Sequence, residues 1–431
     1  MRIPRVDESA LSSAEVQSLL DRGVSQAVDW ALERSPWNRQ RLVAAGVTPG
    51  AVGDVADLRG LPITTKQDLA AAGRELWAVP QHQVVDISTT SGTSGEPTLC
   101  PMTEADLQRL AENERLSFTC AGLTQGDTAL VAVTLDRCFM AGLAYFIGLR
   151  SLGASVARVG SGSPALLVDM VRRLEPSTLV GVPSFFEHTA HWARGEGVDL
   201  RDSSVSRLVC IGEPVRGPDL APTAMAGRAA AAWGAALHGS YGISELAAST
   251  CECAAGVGGH LHPSLLHVEI LDEHDEPVAA GELGEVVATP LGVEALPLLR
   301  YRTGDIAALL PEPCSCGLAT PRLGPIVGRK HQVLKLKGTT VYPAAVARVL
   351  DAEPGLRGYV LVARSDGALS DSLEIRLCLR SAAPELLSSL RQRLQGALKV
   401  TPAISLVEPD ELAALQQVGV GRKKRVFIDE R

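Results

Sequence analysis

The chain has 431 residues, 46% of them apolar and 21% charged, a balance that fills a large core and excludes a disordered chain. Its formal charge of −8 gives no global field for a polyanion, so no nucleic-acid partner is expected, the basic run Arg422–Arg425 notwithstanding. The N-terminal segment lacks a signal-peptide core and no window approaches about 18 uncharged apolar residues, so no membrane partner is expected and the predicted location is cytoplasmic.

From Ser13 to Glu33 the apolar residues Val16, Leu19, Leu20, Val24, Ala27, Val28 and Ala31 recur at helical spacing, and Ser35-Pro36 ends the run. Between Leu61 and Gly292, short apolar runs (Thr128–Val133, Ser155–Val159, Ser177–Val182, Arg207–Ile211) alternate with helical stretches (Glu104–Leu116, Leu166–Leu174). That alternation predicts an α/β fold of layered sheets and helices over residues 1–328. Beyond Gly328 the composition shifts. Strand Val333–Leu336, helix Pro343–Leu350, strands Gly358–Val362 and Leu373–Leu379, helix Pro384–Leu398 and strand Ala403–Leu406 predict a small α+β domain over residues 329–431.

Four segments carry residue types suited to binding a nucleotide. Ile87-Ser-Thr-Thr-Ser-Gly-Thr-Ser-Gly-Glu-Pro-Thr98 crowds hydroxyls and glycines after a β-like run, Gln83–Ile87; such a loop can wrap phosphate oxygens with main-chain N–H groups and hydroxyls. Tyr241-Gly-Ile-Ser-Glu245 sets a carboxylate beside a tight turn, where it could hold Mg²⁺. Leu299-Arg-Tyr-Arg-Thr-Gly-Asp305 ends an apolar run on an aspartate able to accept from ribose hydroxyls, and Gly328-Arg-Lys-His-Gln-Val-Leu-Lys-Leu-Lys-Gly338 spans the proposed domain boundary. Alone, each admits a plainer reading: a surface linker, a turn, a salt-bridged turn and a basic linker.

Together, in this order, the four segments resemble the adenylate-forming superfamily, and further segments resemble its phenylacetate–CoA ligase-like branch. Ser35-Pro-Trp-Asn-Arg39, Leu61-Pro-Ile-Thr-Thr-Lys66, Gly212-Glu-Pro214, Leu296-Pro-Leu-Leu-Arg-Tyr-Arg-Thr-Gly-Asp305 and Val341-Tyr-Pro343 are similar to elements of that branch. The resemblance implies a large N-terminal adenylate-forming domain with a small mobile C-terminal one. It implies activation of a small aryl or arylacetic acid with ATP and Mg²⁺ as an acyl-AMP, followed by transfer to coenzyme A.

Residue by residue, it implies an ATP phosphate loop of Ser91, Gly92, Thr93, Ser94 and Gly95, an adenine-side turn of Gly212, Glu213 and Pro214, and a motif of Tyr241, Gly242, Ser244 and the Mg²⁺-side Glu245. Asp305 would hold the ribose and Arg329 would contact the nucleotide from the hinge side. The adenylation lysine falls at Gly421-Arg-Lys-Lys-Arg-Val426, where strict alignment puts Arg422 and a one-residue shift puts Lys423; Lys423 is the expected cation. Glu96 replaces a frequent lysine, and His331-Gln332 replaces paired aspartates at the hinge. Phe139, Met140, Ala141, Ser184, Phe185, Phe186 and Ser240 are the acyl-pocket candidates.

Of nine cysteines, four form two C-x-C pairs, Cys251/Cys253 and Cys314/Cys316. The resemblance implies a structural Zn²⁺, and thiolates with imidazole suit that ion. Cys253, His262, Cys314 and Cys316 are the predicted ligands, with Cys251 and His260 in reserve. Two further readings stand beside the CoA ligase: an adenylating enzyme that delivers to an amine or a carrier-protein thiol, and a nucleotide-binding homologue that has lost catalysis. A homodimer is left open.

Overall fold

The structure, a computed structural model, describes residues 5–90, 97–336, 339–365, 371–380, 384–416 and 425–431. The chain forms two compact units. The first comprises Met1–Pro222, Ala226–Thr303 and Ala307–Pro325, and the second comprises Ile326–Arg431 with Thr223–Met225 and Gly304–Ile306.

In the first unit, α1 (Ser13–Arg34) opens with a capping box from Ser12 and Glu15, each side chain satisfying a backbone N–H the first turn leaves open. Ser35 then caps α2 (Pro36–Ala44), with Pro36 in its first turn. Both bury an apolar face with Leu58, Leu61, Leu291 and Leu299. α3 (Lys66–Ala72) precedes the antiparallel hairpin β1 (Asp86–Thr89) and β2 (Leu99–Met102). The helical reading of Glu104–Leu116 is α4 (Glu104–Cys120), capped by Thr103 and Asp106.

A nine-stranded sheet follows. β3 (Thr128–Val131), α5 (Met140–Leu152), β4 (Ser155–Arg158), α6 (Pro164–Leu174), β5 (Thr178–Gly181), α7 (Pro183–Gly195), β6 (Arg207–Ile211), α8 (Ala224–Trp233) and β7 (Ala236–Ile243) alternate strand and helix. The five strands are parallel in the order β4-β3-β5-β6-β7. Short apolar strands such as β5, buried at every position, suit a sheet covered on both faces. Because β3 has β4 on one side and β5 on the other, the chain reverses its direction of travel across the sheet there. Such a switch point opens a crevice at the carboxyl ends of the strands. The sheet continues antiparallel through β8 (Ala248–Glu252), β9 (Gly259–His260), β13 (Leu309–Leu310) and β14 (Arg322–Leu323), in the order β7-β8-β9-β14-β13. The intervening β10 (Leu266–Leu271), β11 (Gly284–Pro290) and β12 (Tyr301–Ala307) build a second sheet.

Helices α4 and α5 touch where α5 carries Gly148. A Cβ there would lie 2.2 Å from Glu114 Cβ, so the position requires glycine. Glu114 itself is enclosed and accepts from Ser249 Oγ at 2.7 Å. Burial pushes its carboxyl up to about 7, against the Ser249 hydrogen bond and the nearby His262, which pull it down. With the folded value above the ordinary 4.5, the unfolded chain loses this proton first as pH rises, so stability falls between those two values and is lowest above them. Glu114→Gln cannot ionise. Its urea midpoint relative to wild type should therefore improve from pH 5 to pH 8, and a pH-independent difference would refute the shift.

In the second unit, β15 (Gly328–Arg329) pairs antiparallel with Asp305 and Ile306. The strands β16 (Leu334–Leu336) and β17 (Thr339–Val341) form a hairpin. A four-stranded sheet of β18 (Leu356–Ser365), β19 (Asp371–Leu379), β20 (Ala403–Leu406) and β21 (Phe427–Asp429) has the order β20-β19-β18-β21. It packs with α9 (Pro343–Asp351) and α10 (Pro384–Leu398) around Val346, Leu350, Leu361, Ile375, Leu390 and Leu394. A third helix, α11 (Pro409–Leu415), packs through Leu412 on Val360 and Val362 of β18 and Cys378 of β19. No helix among the described residues is long and apolar enough to cross a membrane.

Candidate active site

The carboxyl ends of the parallel strands carry the segments singled out from sequence. β6 ends at Ile211 and runs into Gly212, whose φ of +71° only glycine adopts without strain. Glu213 then accepts from Ser184 N at 2.9 Å and Ser184 Oγ at 2.6 Å. Its carboxylate thus sits on the first turn of α7, where negative charge is favoured, and fixes the Gly212-Glu-Pro214 turn to the end of β5. After β3, Arg137 and Cys138 have φ of +58° and +52°. The Cys138 carbonyl accepts from Thr89 N at 2.9 Å, which ties this loop to the β1–β2 hairpin.

Tyr241, Gly242 and Ile243 are the last residues of β7, not a turn before a helix, and pair with Thr250, Ser249 and Ala248 of β8. Ser244–Leu246 is a single 3₁₀ turn closed by Ala247 N on Ser244 O at 3.1 Å. Glu245 on that turn lines a pocket with Cys100, Met102, Asp106, Arg109, Met140, Val293 and Leu296. The buried Tyr301 hydroxyl donates to Glu245 Oε1 at 3.2 Å. Burial, with the Glu245 charge beside it, raises the Cys100 thiol far above its ordinary range, so it stays protonated.

The early Leu61-Pro-Ile-Thr-Thr-Lys66 segment is explained by what it touches. Thr64 forms a parallel bridge with Tyr301, donating from N to Arg300 O at 3.1 Å and from Oγ1 to Leu299 O at 2.7 Å. Arg300, left-handed at φ +46°, is held by Glu269 through two 3.0 Å bonds and donates to Arg59 O and Leu61 O at 2.9 Å. Tyr301, and through it Glu245, is therefore braced by residues about 240 positions earlier in the chain.

Asp305 and Arg329 meet within the second unit, Nε to Oδ1 at 3.0 Å, across the β12–β15 pairing. The pair orients the carboxylate. Ser91, Gly92, Thr93, Ser94 and Gly95, together with Arg422 and Lys423, lie outside the described residues.

The cysteine pairs converge. Cys253, Cys314 and Cys316 present their sulfurs, with a ring nitrogen of His260, all within 4.8 Å of one another. Cys253 Sγ and Cys314 Sγ are 3.5 Å apart, and Cys316 Sγ is 3.4 Å from His260 Nε2. Tetrahedral ligands at ~2.3 Å from zinc stand roughly 3.5–3.8 Å apart, so these four groups fit that ion. His260 Nδ1 is 2.7 Å from Thr320 Oγ1, an outer contact that fixes the ring. Burial, with Arg322 nearby, pushes its imidazole down to about 4, which keeps it neutral, the form that binds metal.

This corrects one predicted ligand. His262 is buried elsewhere, its Nδ1 2.8 Å from Glu8 Oε2 and its Nε2 2.9 Å from Ser117 Oγ, so both nitrogens are engaged and His260 takes its place. The reserve Cys251 is buried with Phe118 and Tyr145 and is not in the group.

The sequence reading missed Asp106, Arg109, Asn113 and Tyr301. Asp106 accepts from Glu294 N at 2.7 Å and Ala295 N at 3.0 Å, and Asn113 exchanges two hydrogen bonds with the Ser249 backbone. The available signal was that α4 is polar on every face; a helix that must still pack buries some of those groups, and buried polar groups are bonded.

With this geometry in place, the class is defined: the chain belongs to the AMP-binding enzyme family, whose model matches residues 10–293. It is 30% identical to a phenylacetate-coenzyme A ligase of Thermus thermophilus, over 98% of each chain. It is also 30% identical to the ligase of that name from Escherichia coli, over 96% of this chain and 94% of the relative. In fold it is similar to 2-hydroxyisobutyryl-CoA ligase crystallised in the postadenylation state with R3-HIB-AMP, at TM-score 0.85 and 23% identity, over 98% of this chain and 91% of that one.

Proposed function

We propose that this protein activates a small aryl or arylacetic acid with ATP, as an acyl-AMP, and then forms the coenzyme A thioester. The observation that carries the reading is the carboxyl edge of the large sheet. There the Gly212-Glu-Pro214 turn, the Glu245 turn and the loop through Cys138 gather around a strand switch point, in a chain that matches named phenylacetate-coenzyme A ligases nearly end to end.

In the first step a carboxylate oxygen of the acid bonds to the α-phosphorus of ATP as the bond to pyrophosphate breaks. In the second, the thiolate sulfur of coenzyme A bonds to the acyl carbon and AMP leaves. Both need positioning and charge neutralisation more than covalent help. Glu245, its carboxylate oriented by Tyr301, would hold Mg²⁺, a hard cation bound through one or two carboxylates plus substrate phosphates. When bound, that ion would offset phosphate charge. Glu213 keeps the Gly212 turn in place beside α7, and Asp305, aligned by Arg329, offers an acceptor for ribose hydroxyls. Ser91–Gly95 would wrap the phosphates and Lys423 would supply the cation. Cys253, His260, Cys314 and Cys316 would hold zinc; all four positions are filled by protein, so its role is structural.

The cytosol, which supplies both ATP and coenzyme A, suits this reading. The acceptor is tested by AMP release over a panel of aryl and arylacetic acids. With a cognate acid, adding coenzyme A should raise AMP release well above the coenzyme-free rate and yield the thioester. Acid-dependent pyrophosphate formation that coenzyme A leaves unchanged would point instead to an amine or carrier-protein acceptor.

A further inference from the structure

We propose that Arg109 is a positioning residue for Glu245, holding the turn that presents this carboxylate; the inference rests on the role given to Glu245 above. Arg109 lies on α4 and is 1% exposed. Its guanidinium donates to three main-chain carbonyls from three separate segments: Nε to Leu291 O at 2.6 Å, one terminal nitrogen to Ala247 O at 2.7 Å and the other to Leu265 O at 2.6 Å. Burial lowers it to about 10, partly offset by Asp106, so it remains a cation at neutral pH. Enclosing such a charge costs several kcal/mol before its hydrogen bonds are counted. A neutral donor would brace a loop at less cost, and the place where this one is spent is informative.

Ala247 ends the Ser244–Leu246 turn with φ of +44°, a left-handed conformation that costs a non-glycine residue about 1 kcal/mol or more. The surroundings must impose it. Arg109 does so by gripping the Ala247 carbonyl, while Tyr301 grips the Glu245 carboxylate two residues earlier. Backbone and side chain of one turn are thus fixed from opposite ends. Arg109 and Glu245 also line the same pocket, and the guanidinium's hydrogen bonds go to main-chain carbonyls, not to that carboxylate. A misplacement of about 1 Å at a reacting centre can cost roughly 10²-fold in rate.

The test compares Arg109→Lys and Ala247→Gly with wild type in acid-dependent ATP–pyrophosphate exchange titrated with free Mg²⁺, alongside thermal melts. Lysine keeps the charge and three donors on a different stem. Glycine adopts the left-handed φ at position 247 without strain, so Ala247→Gly makes the turn less dependent on Arg109, and adding it to Arg109→Lys relieves the strain that would keep the lysine variant from folding. The expected result is a half-saturating Mg²⁺ concentration near wild type in Ala247→Gly, raised about tenfold in Arg109→Lys and brought part of the way back in the double variant, with the KM for the acid unchanged. A smaller folded fraction lowers the maximal rate but cannot move the half-saturation point. Wild-type Mg²⁺ dependence in folded Arg109→Lys, or in the double variant where only that one folds, would overturn the inference. Should Glu245→Gln also exchange normally, the reading of Glu245 fails first; if Glu245→Gln is inactive while Arg109→Lys behaves as wild type, only the role of Arg109 falls.

Discussion

Glu245→Gln should lower acid-dependent ATP–pyrophosphate exchange by about 10²–10³-fold, the usual cost of removing one preorganised electrostatic group from a reaction that depends on it. The substitution is nearly isosteric. An amide oxygen can still accept from Tyr301, 3.2 Å away in the native protein, so the turn and the pocket should persist and the melting temperature should hold. What disappears is the charge. Excess Mg²⁺ should recover little of the rate, because a neutral amide is a poor ligand for a hard cation. Exchange within a few-fold of wild type would remove Glu245 from the chemistry.

Cys314→Ser, Cys316→Ser and His260→Gln should each release bound zinc, whereas His262→Gln and Cys251→Ser should retain it, as measured by metal content of the purified proteins. The contrast follows from geometry: the first three belong to the four-group cluster, and His262 bonds to Glu8 and Ser117. An ion held with free zinc about 1,000-fold above its Kd stabilises the folded state by about 4 kcal/mol. Its loss would shift a domain of this size by roughly 6 °C in melting temperature. The cluster ties the loop after β8 to the loop between β13 and β14, so the loss should appear as earlier melting of the first unit. Zinc retained in His260→Gln and lost in His262→Gln would reverse the assignment made from the structure.

The readable parts of this sequence are those where one residue type does one local job. Pro343 and Pro384 mark helix starts, and the buried parallel strands stand out as apolar runs, whereas Pro36, read as ending α1, also opens α2. The α+β order of the C-terminal region was legible except for Thr339–Val341, Pro409–Leu415 and Phe427–Asp429. Three-residue strands and a seven-residue helix are too short to show a period, and Phe427–Asp429 owes its strand to a parallel pairing with Leu361–Ala363. Tyr241–Glu245 reads as a turn because Gly242 and Ser244 interrupt it, but pairing with Ala248–Thr250 makes Tyr241–Ile243 strand.

Gly212, Glu213, Glu245 and Asp305 stand out in the sequence as candidates, but their bracing does not. Nothing in the spacing of His260 and His262 says which one faces the cysteines; the Thr320 hydroxyl and the Glu8 carboxylate decide it from 60 and 254 residues away. Arg109 reads as one more charge on a polar helix, because its carbonyl partners at Ala247, Leu265 and Leu291 are set by the fold alone.

The central claim, adenylation of a carboxylic acid, is tested most directly by ATP–pyrophosphate exchange across aryl and arylacetic acids in the absence of coenzyme A. The account predicts exchange that requires both the acid and Mg²⁺ and is strong for a narrow subset of the panel. No acid-dependent exchange with any member, from folded protein that still binds ATP, would contradict it.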